Sequence, residues 1–165
     1  MTHPGGTGQA QDRQMPAAFP AIRRMVLAIL LLGLLGTGLE LLLLEHTDGF
    51  WQRVPLALIL TGFVVLGWHA GRRSAASLRV LQGTMILFLG SGLAGLFLHY
   101  RGNVEFELEM YPTRTGLELF WESLKGATPA LSPGTMLVLG LLGLTYTYHH
   151  PGLTEPNQDL QRRSK

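Results

Sequence analysis

The chain has 165 residues, 47 % hydrophobic and only 15 % charged, with 21 Gly and no Cys. A soluble domain carries about 25 % charged residues, and here the charges fall in blocks between long apolar runs, which is a membrane composition. The lack of Cys excludes a disulfide framework, a thiolate metal site and a Cys nucleophile. The formal charge of +2 does not point to nucleic acid, because the basic residues lie at the ends of the apolar runs.

Residues 1–20, rich in Gly, Pro and Gln, predict a disordered tail. From Ile22 to Leu44 the chain reads IRRMVLAILLLGLLGTGLELLLL. A bilayer core of ~30 Å takes roughly 20 apolar residues as helix, so this is the first expected span. The run is too long for a signal-peptide core and no small-residue cleavage site follows it, so it is expected to be retained. Residues 54–71 form the second span, with Pro55 in its first turn, where a missing N–H costs little. Residues 80–100 form the third, and residues 131–148 the fourth, with Pro133 near its start. Backbone in hydrocarbon must satisfy its own hydrogen bonds, so all four are read as helices. Small residues punctuate them: Gly33, Gly36 and Gly38, then Gly67 and Gly71, then Ser91 and Gly95, then Gly140 and Gly143. Such residues let membrane helices approach closely. The expected fold is therefore an all-α membrane protein, a four-transmembrane-helix bundle over residues 21–149, followed by a second tail over 150–165.

Residues 101–130 form an expected external lid. In NVEFELEMYP, Val104, Phe106, Leu108 and Met110 alternate with Glu105, Glu107 and Glu109. Period two predicts a short strand with one apolar and one acidic face, opened by a turn at Gly102 and Asn103 and closed by Pro112. In the following TRTGLELFWESLK, Leu117, Phe120, Trp121 and Leu124 make one helical stripe. Arg114 with Glu118 and Glu122 with Lys125 stand at pairing distance on the wet side, and Thr113 or Thr115 can cap the helix. This reads as an amphipathic helix lying on the outer leaflet. A lone strand leaves its backbone unpaired, so the segment calls for a protein partner or a second copy that adds a strand. Val104, Phe106, Leu108, Met110, Leu117, Phe120 and Trp121 are the candidate contacts.

Arg13, Arg23, Arg24, Arg72, Arg73, Arg79, Arg162, Arg163 and Lys165 lie in the two tails and the 72–79 loop, whereas most acids lie in the other two loops. The bias of basic residues toward the inside predicts a plasma (inner) membrane protein with both termini cytoplasmic. Its arginines would meet anionic headgroups. Trp51, Tyr100, Tyr111 and Trp121 then fall at the outer interface, and Trp68, Tyr146 and Tyr148 at the inner one.

Glu40 stands inside the first span, where a carboxylate is a functional candidate by default. Glu45, His46, His99 and Glu105 are expected near the same level. Imidazoles and carboxylates together suit Zn, Mn or Fe, although no spacing matches a motif such as H-E-x-x-H. His46 with His99 at one end, and His69 with His149 or His150 at the other, resemble the ligand layout of di-haem membrane cytochromes, except that these sit at the helix ends. The plain alternative is that each group caps a helix end and Glu40 snorkels to the interface. There is no P-loop, dinucleotide fingerprint, G-x-S-x-G elbow or C-x-x-C. The span centres are nearly apolar, so a solute pathway through one copy is not expected. The expectation is an accessory or structural subunit acting in the lipid bilayer through protein partners or its own copies, without a resident cofactor. Cation or haem binding at the outer His/Glu cluster is the alternative, and an enzyme acting on lipid a third.

Overall fold

The computed structural model describes residues 8–126 and 128–154, with side chains over 19–153. In chain order the elements are α1 (Gly8–Leu43), α2 (Phe50–Arg72), α3 (Ala75–Met110), α4 (Gly116–Lys125), α5 (Gly134–Thr147) and the single turn α6 (Pro151–Thr154). Three stretches, Phe19–Leu43, Phe50–Arg72 and Ala75–Met110, are long and apolar enough to cross a membrane, while α5 is apolar but has 14 residues. At 1.5 Å per residue, α2 is about 35 Å long, α3 about 54 Å and α5 about 21 Å.

α1, α2, α3 and α5 pack as a ring: α1 against α2, α2 against α3, α3 against α5, and α5 back against α1. Leu30 and Leu34 from α1, Ile59, Val65 and Leu66 from α2, Leu81, Met85 and Phe88 from α3, and Met136 and Leu139 from α5 fill the centre. Outside it the helices stay oily, with Leu32 72 % exposed and Leu60 66 % exposed. Such surface is costly in water but at home in lipid, where packing contacts rather than apolar burial hold helices together.

Packing is tightest between α3 and α5. A methyl group on Gly140 would lie 2.9 Å from the Met85 carbonyl oxygen and 2.8 Å from Leu89 Cδ2, and one on Gly92 would lie 3.0 Å from the Leu137 nitrogen. One on Gly143 would strike the Met85 side chain. Across α5, Gly33 of α1 leaves room for Leu139. Gly36, Gly67, Gly71 and Gly90 face open space. The small residues thus fall into two groups, those that bring helices together and those on open faces.

The structure corrects the lid. Residues 103–110 are the last turns of α3, and no strand occurs among the described residues. Extending an existing helix gains one hydrogen bond per residue fixed, whereas a lone strand has no partner for its backbone. Glu, Leu and Met are good helix formers, and Arg101 reaches Glu105 one turn on at 2.8 Å. Val104, Phe106, Leu108 and Met110 consequently spread around the helix instead of lining one face: Val104 is half-buried, and Phe106, Leu108 and Met110 are exposed.

The segment read as an amphipathic helix is helical from Gly116 to Lys125. Thr115 occupies its N-cap position without a side-chain cap bond, and the Arg114–Glu118 and Lys125–Glu122 pairs form at 3.3 and 2.7 Å. The ends differ from the expected tails. α1 already begins at Gly8, within the segment read as disordered, while residues 1–7 and those beyond 154 lie outside the described residues.

Candidate functional site

The bundle has an acidic and a basic end. At the acidic end the α1–α2 turn meets the last third of α3. His46 in the turn and His99 of α3 stack with ring centroids 6.4 Å apart and planes tilted by 42°. His99 Nδ1 is buried with no hydrogen-bond partner. Burial, and secondarily His99, hold His46 below the usual imidazole pKa. Glu40 and Glu45 are exposed, Glu45 with a left-handed backbone at φ 50°, and Glu105 is engaged by Arg101. Of the five residues expected to cluster, the fold pairs His46 with His99. Among the described residues, no three His, Cys, Asp or Glu side chains come together to hold a metal ion.

The His46 shift has a definite sign. The unfolded chain takes up the proton first, so the stability contributed by neutral His46 is fully present above its ordinary value of 6.5. It is lost as pH falls through the lower folded value. The melting temperature in detergent is expected to drop as pH goes below about 6.5, and to drop less in His46→Gln. Parallel curves for the two proteins would place the titration elsewhere.

Asn103 organises the rest of this end. It is 2 % exposed. Its Nδ2 donates to the Ser123 carbonyl at 2.9 Å and the Thr128 carbonyl at 2.7 Å. Its Oδ1 accepts from the Thr128 N–H at 3.2 Å and hydroxyl at 2.6 Å. An amide has two donors and an oxygen with two lone pairs, so its capacity is filled. Gly126 passes so close that a methyl group there would lie 2.6 Å from Asn103 Cγ. Arg114 adds a second tie, bonded to Glu107 of α3 and Glu118 of α4 and lying 3.9 Å over the Tyr111 ring. The Glu107 bond and charge, with Glu118 and Glu122, outweigh the lowering effect of burial and raise the Arg114 pKa. α4 is thereby fixed to α3, with Leu117 77 %, Trp121 57 % and Phe120 41 % exposed. Beside it, Leu96, Phe97, Tyr100, Phe120, Leu124, Ala130 and Leu131 line an open apolar groove of about 290 Å³. The sequence carried no sign of this role for Asn103, which reads there as a turn residue after Gly102.

At the basic end, α2, α3 and α5 bring together His69, Ser77 and Tyr146, with His150 following α5. His69 and Tyr146 are 6 % and 7 % exposed and Ser77 is fully buried. His69 Nδ1 lies 2.9 Å from Ser77 Oγ, and the Ser77 hydroxyl itself donates to the Ser74 carbonyl at 2.8 Å. His69 and Ser77 thus share a hydrogen bond whose direction follows the His69 tautomer. The His69, Tyr146 and His150 rings form a triangle with centroid separations of 5.6–6.0 Å. Arg23 of α1 donates to the Tyr148 and His149 carbonyls at 3.4 and 3.2 Å. Burial first, then Arg23 and His69, keep His150 below the usual imidazole pKa. Of the two residues that the sequence left open beside His69, His150 is the one that lies next to it; His149 meets Tyr148 edge-on instead. Ser77 and Tyr146 were not singled out for this role, because only the packing of α2, α3 and α5 makes them neighbours. No family model, curated protein or solved structure matches the chain.

Proposed function

We propose that this protein is an accessory or structural subunit of a membrane assembly and works through a protein partner. The observation that carries the reading is the length and rigidity of α3 with its α4 cap. A helix of about 54 Å is longer than a ~30 Å hydrocarbon core. Its last turns would then stand clear of the acyl chains, with α4 locked onto them by Asn103 and Arg114. That cap presents Phe106, Met110, Leu117, Phe120 and Trp121 among the acids Glu105, Glu109 and Glu118. A rigid platform of exposed aromatic and aliphatic side chains ringed by charge suits a protein contact.

In this reading α5, with the turn before it, is a fourth and short crossing, accommodated by local thinning of the bilayer. Both termini then lie on the side of Arg23, Arg72, Arg73 and Arg79, the cytoplasmic side of the plasma membrane. The platform faces outward, and α4 lies at headgroup level.

The test is the mass and composition of the particle extracted from the native membrane in mild detergent. A stoichiometric partner chain, lost in a Leu117→Asp, Trp121→Ser double variant that keeps its melting temperature, is the expected result. A lone monomer or a homodimer would overturn the reading.

A further inference from the structure

The cluster at the basic end has a use that the subunit reading does not supply. The His69 and His150 ring centroids lie 5.6 Å apart, but two imidazoles do not make a metal site, and no third His, Cys, Asp or Glu joins them among the described residues. The surrounding charge argues against a cation. Arg23 and Arg73 both act on Tyr146, and Arg23 also acts on His150. Arg24, Arg72 and Arg79 lie on the same end, and among the described residues none of these five arginines is paired with a carboxylate. The carboxylates with described side chains lie toward the other end of the bundle. Among the described side chains the charge at this end is positive, which favours anions over metal ions.

Two further observations narrow the ligand. Arg23 is half-buried, yet its bonds to the Tyr148 and His149 carbonyls, at 3.4 and 3.2 Å, exceed the about 2.7–2.9 Å of a charge-assisted bond to an anion. It is thus held in place and open to a better acceptor. The cluster also lies at the last turns of α2 and α5, beside Trp68 and Tyr148, 38 % and 71 % exposed. Aromatic residues of this kind mark headgroup depth.

We propose that Arg23, Arg73 and Tyr146 bind the phosphate of an anionic phospholipid, with His69, Ser77 and His150 as the wall behind them. Arg23 and Arg73 supply the charge and the Tyr146 hydroxyl a neutral donor, while His150, whose Nδ1 accepts from the Gly152 N–H at 3.1 Å, closes the wall. The site depends on the membrane placement of the bundle and not on any protein partner, so it stands or falls apart from the subunit reading.

The test is native mass spectrometry of the purified full-length chain in detergent, titrated with phosphatidylglycerol, phosphatidylcholine or inorganic phosphate. One retained phosphatidylglycerol per chain is expected, with phosphatidylcholine displaced readily. Arg23→Gln and Arg73→Gln should each weaken retention about tenfold, the loss of one charge-assisted contact. Arg79→Gln removes the same charge outside the cluster and should change retention less than about twofold. Arg23→Lys keeps the charge if Arg23→Gln fails to fold, and should retain the lipid partially. Equal losses for Arg79→Gln and Arg23→Gln would reduce the effect to general surface attraction and overturn the site. Indifference between the two lipids would also overturn it, as would inorganic phosphate competing as well as phosphatidylglycerol.

Discussion

Gly140→Ala is expected to destabilise the protein by about 1–3 kcal/mol, the usual cost of an extra methyl group in a packed interface. Gly90→Ala is expected to stabilise it by up to about 1 kcal/mol, the helix preference of Ala over Gly. Both residues sit inside helices of the same α3–α5 pair, so the backbone contribution is similar. They differ in what surrounds them. At Gly140 the methyl group meets the Met85 carbonyl oxygen at 2.9 Å and Leu89 Cδ2 at 2.8 Å. The carbonyl belongs to a helix backbone and cannot turn aside, so α5 would have to move away from α3. Met85 and Leu139 are 0 % and 2 % exposed, and both would lose contacts in that movement. At Gly90 a methyl group meets nothing within 4 Å. Thermal unfolding of the two variants in the same detergent measures both effects. A Gly140→Ala protein at least as stable as the parent would show that α3 and α5 are not held at this distance.

Asn103→Leu carries the second large effect, about 2–4 kcal/mol, because a buried group left unsatisfied costs about 1–3 kcal/mol. Leu removes four hydrogen bonds, two to the carbonyls of Ser123 and Thr128 and two from Thr128. Thr128 is exposed and can turn to water, whereas Ser123 is buried and its carbonyl cannot. Asn103→Asp should be no milder, since it sets a carboxylate oxygen against those two carbonyls. Gly126→Ala should produce the same loosening from the other side by pushing its methyl group into the Asn103 amide. The effect should be local. Hydrogen exchange is expected to accelerate in α4 and the residues after it, while the amides of α2 and the middle of α3 stay protected. Unchanged exchange in α4 would show that Arg114, through Glu107 and Glu118, suffices to hold it.

How far the chain can be read without coordinates follows from the range of each interaction. The three long apolar helices are legible because long apolar runs with at most an isolated charge, as at Glu40, have few alternatives. The Arg114–Glu118 and Glu122–Lys125 pairs are legible because residues three or four apart on a helix meet whatever surrounds them. The alternation from Val104 to Met110 misleads, since a period-two pattern marks a strand only where a neighbouring strand completes its hydrogen bonds. α3 arriving from upstream offers a helix to extend instead. The candidate sites divide the same way. That histidines gather at the helix ends is visible in the letters. That His46 meets His99, that His150 and not His149 turns toward His69, and that Ser77 bonds to His69 depend on the way the helices pack around one another. The same holds for Asn103, whose partners lie 20 and 25 residues away. Local spacing determines where the long apolar helices lie, and contacts between distant segments decide which polar groups share a site.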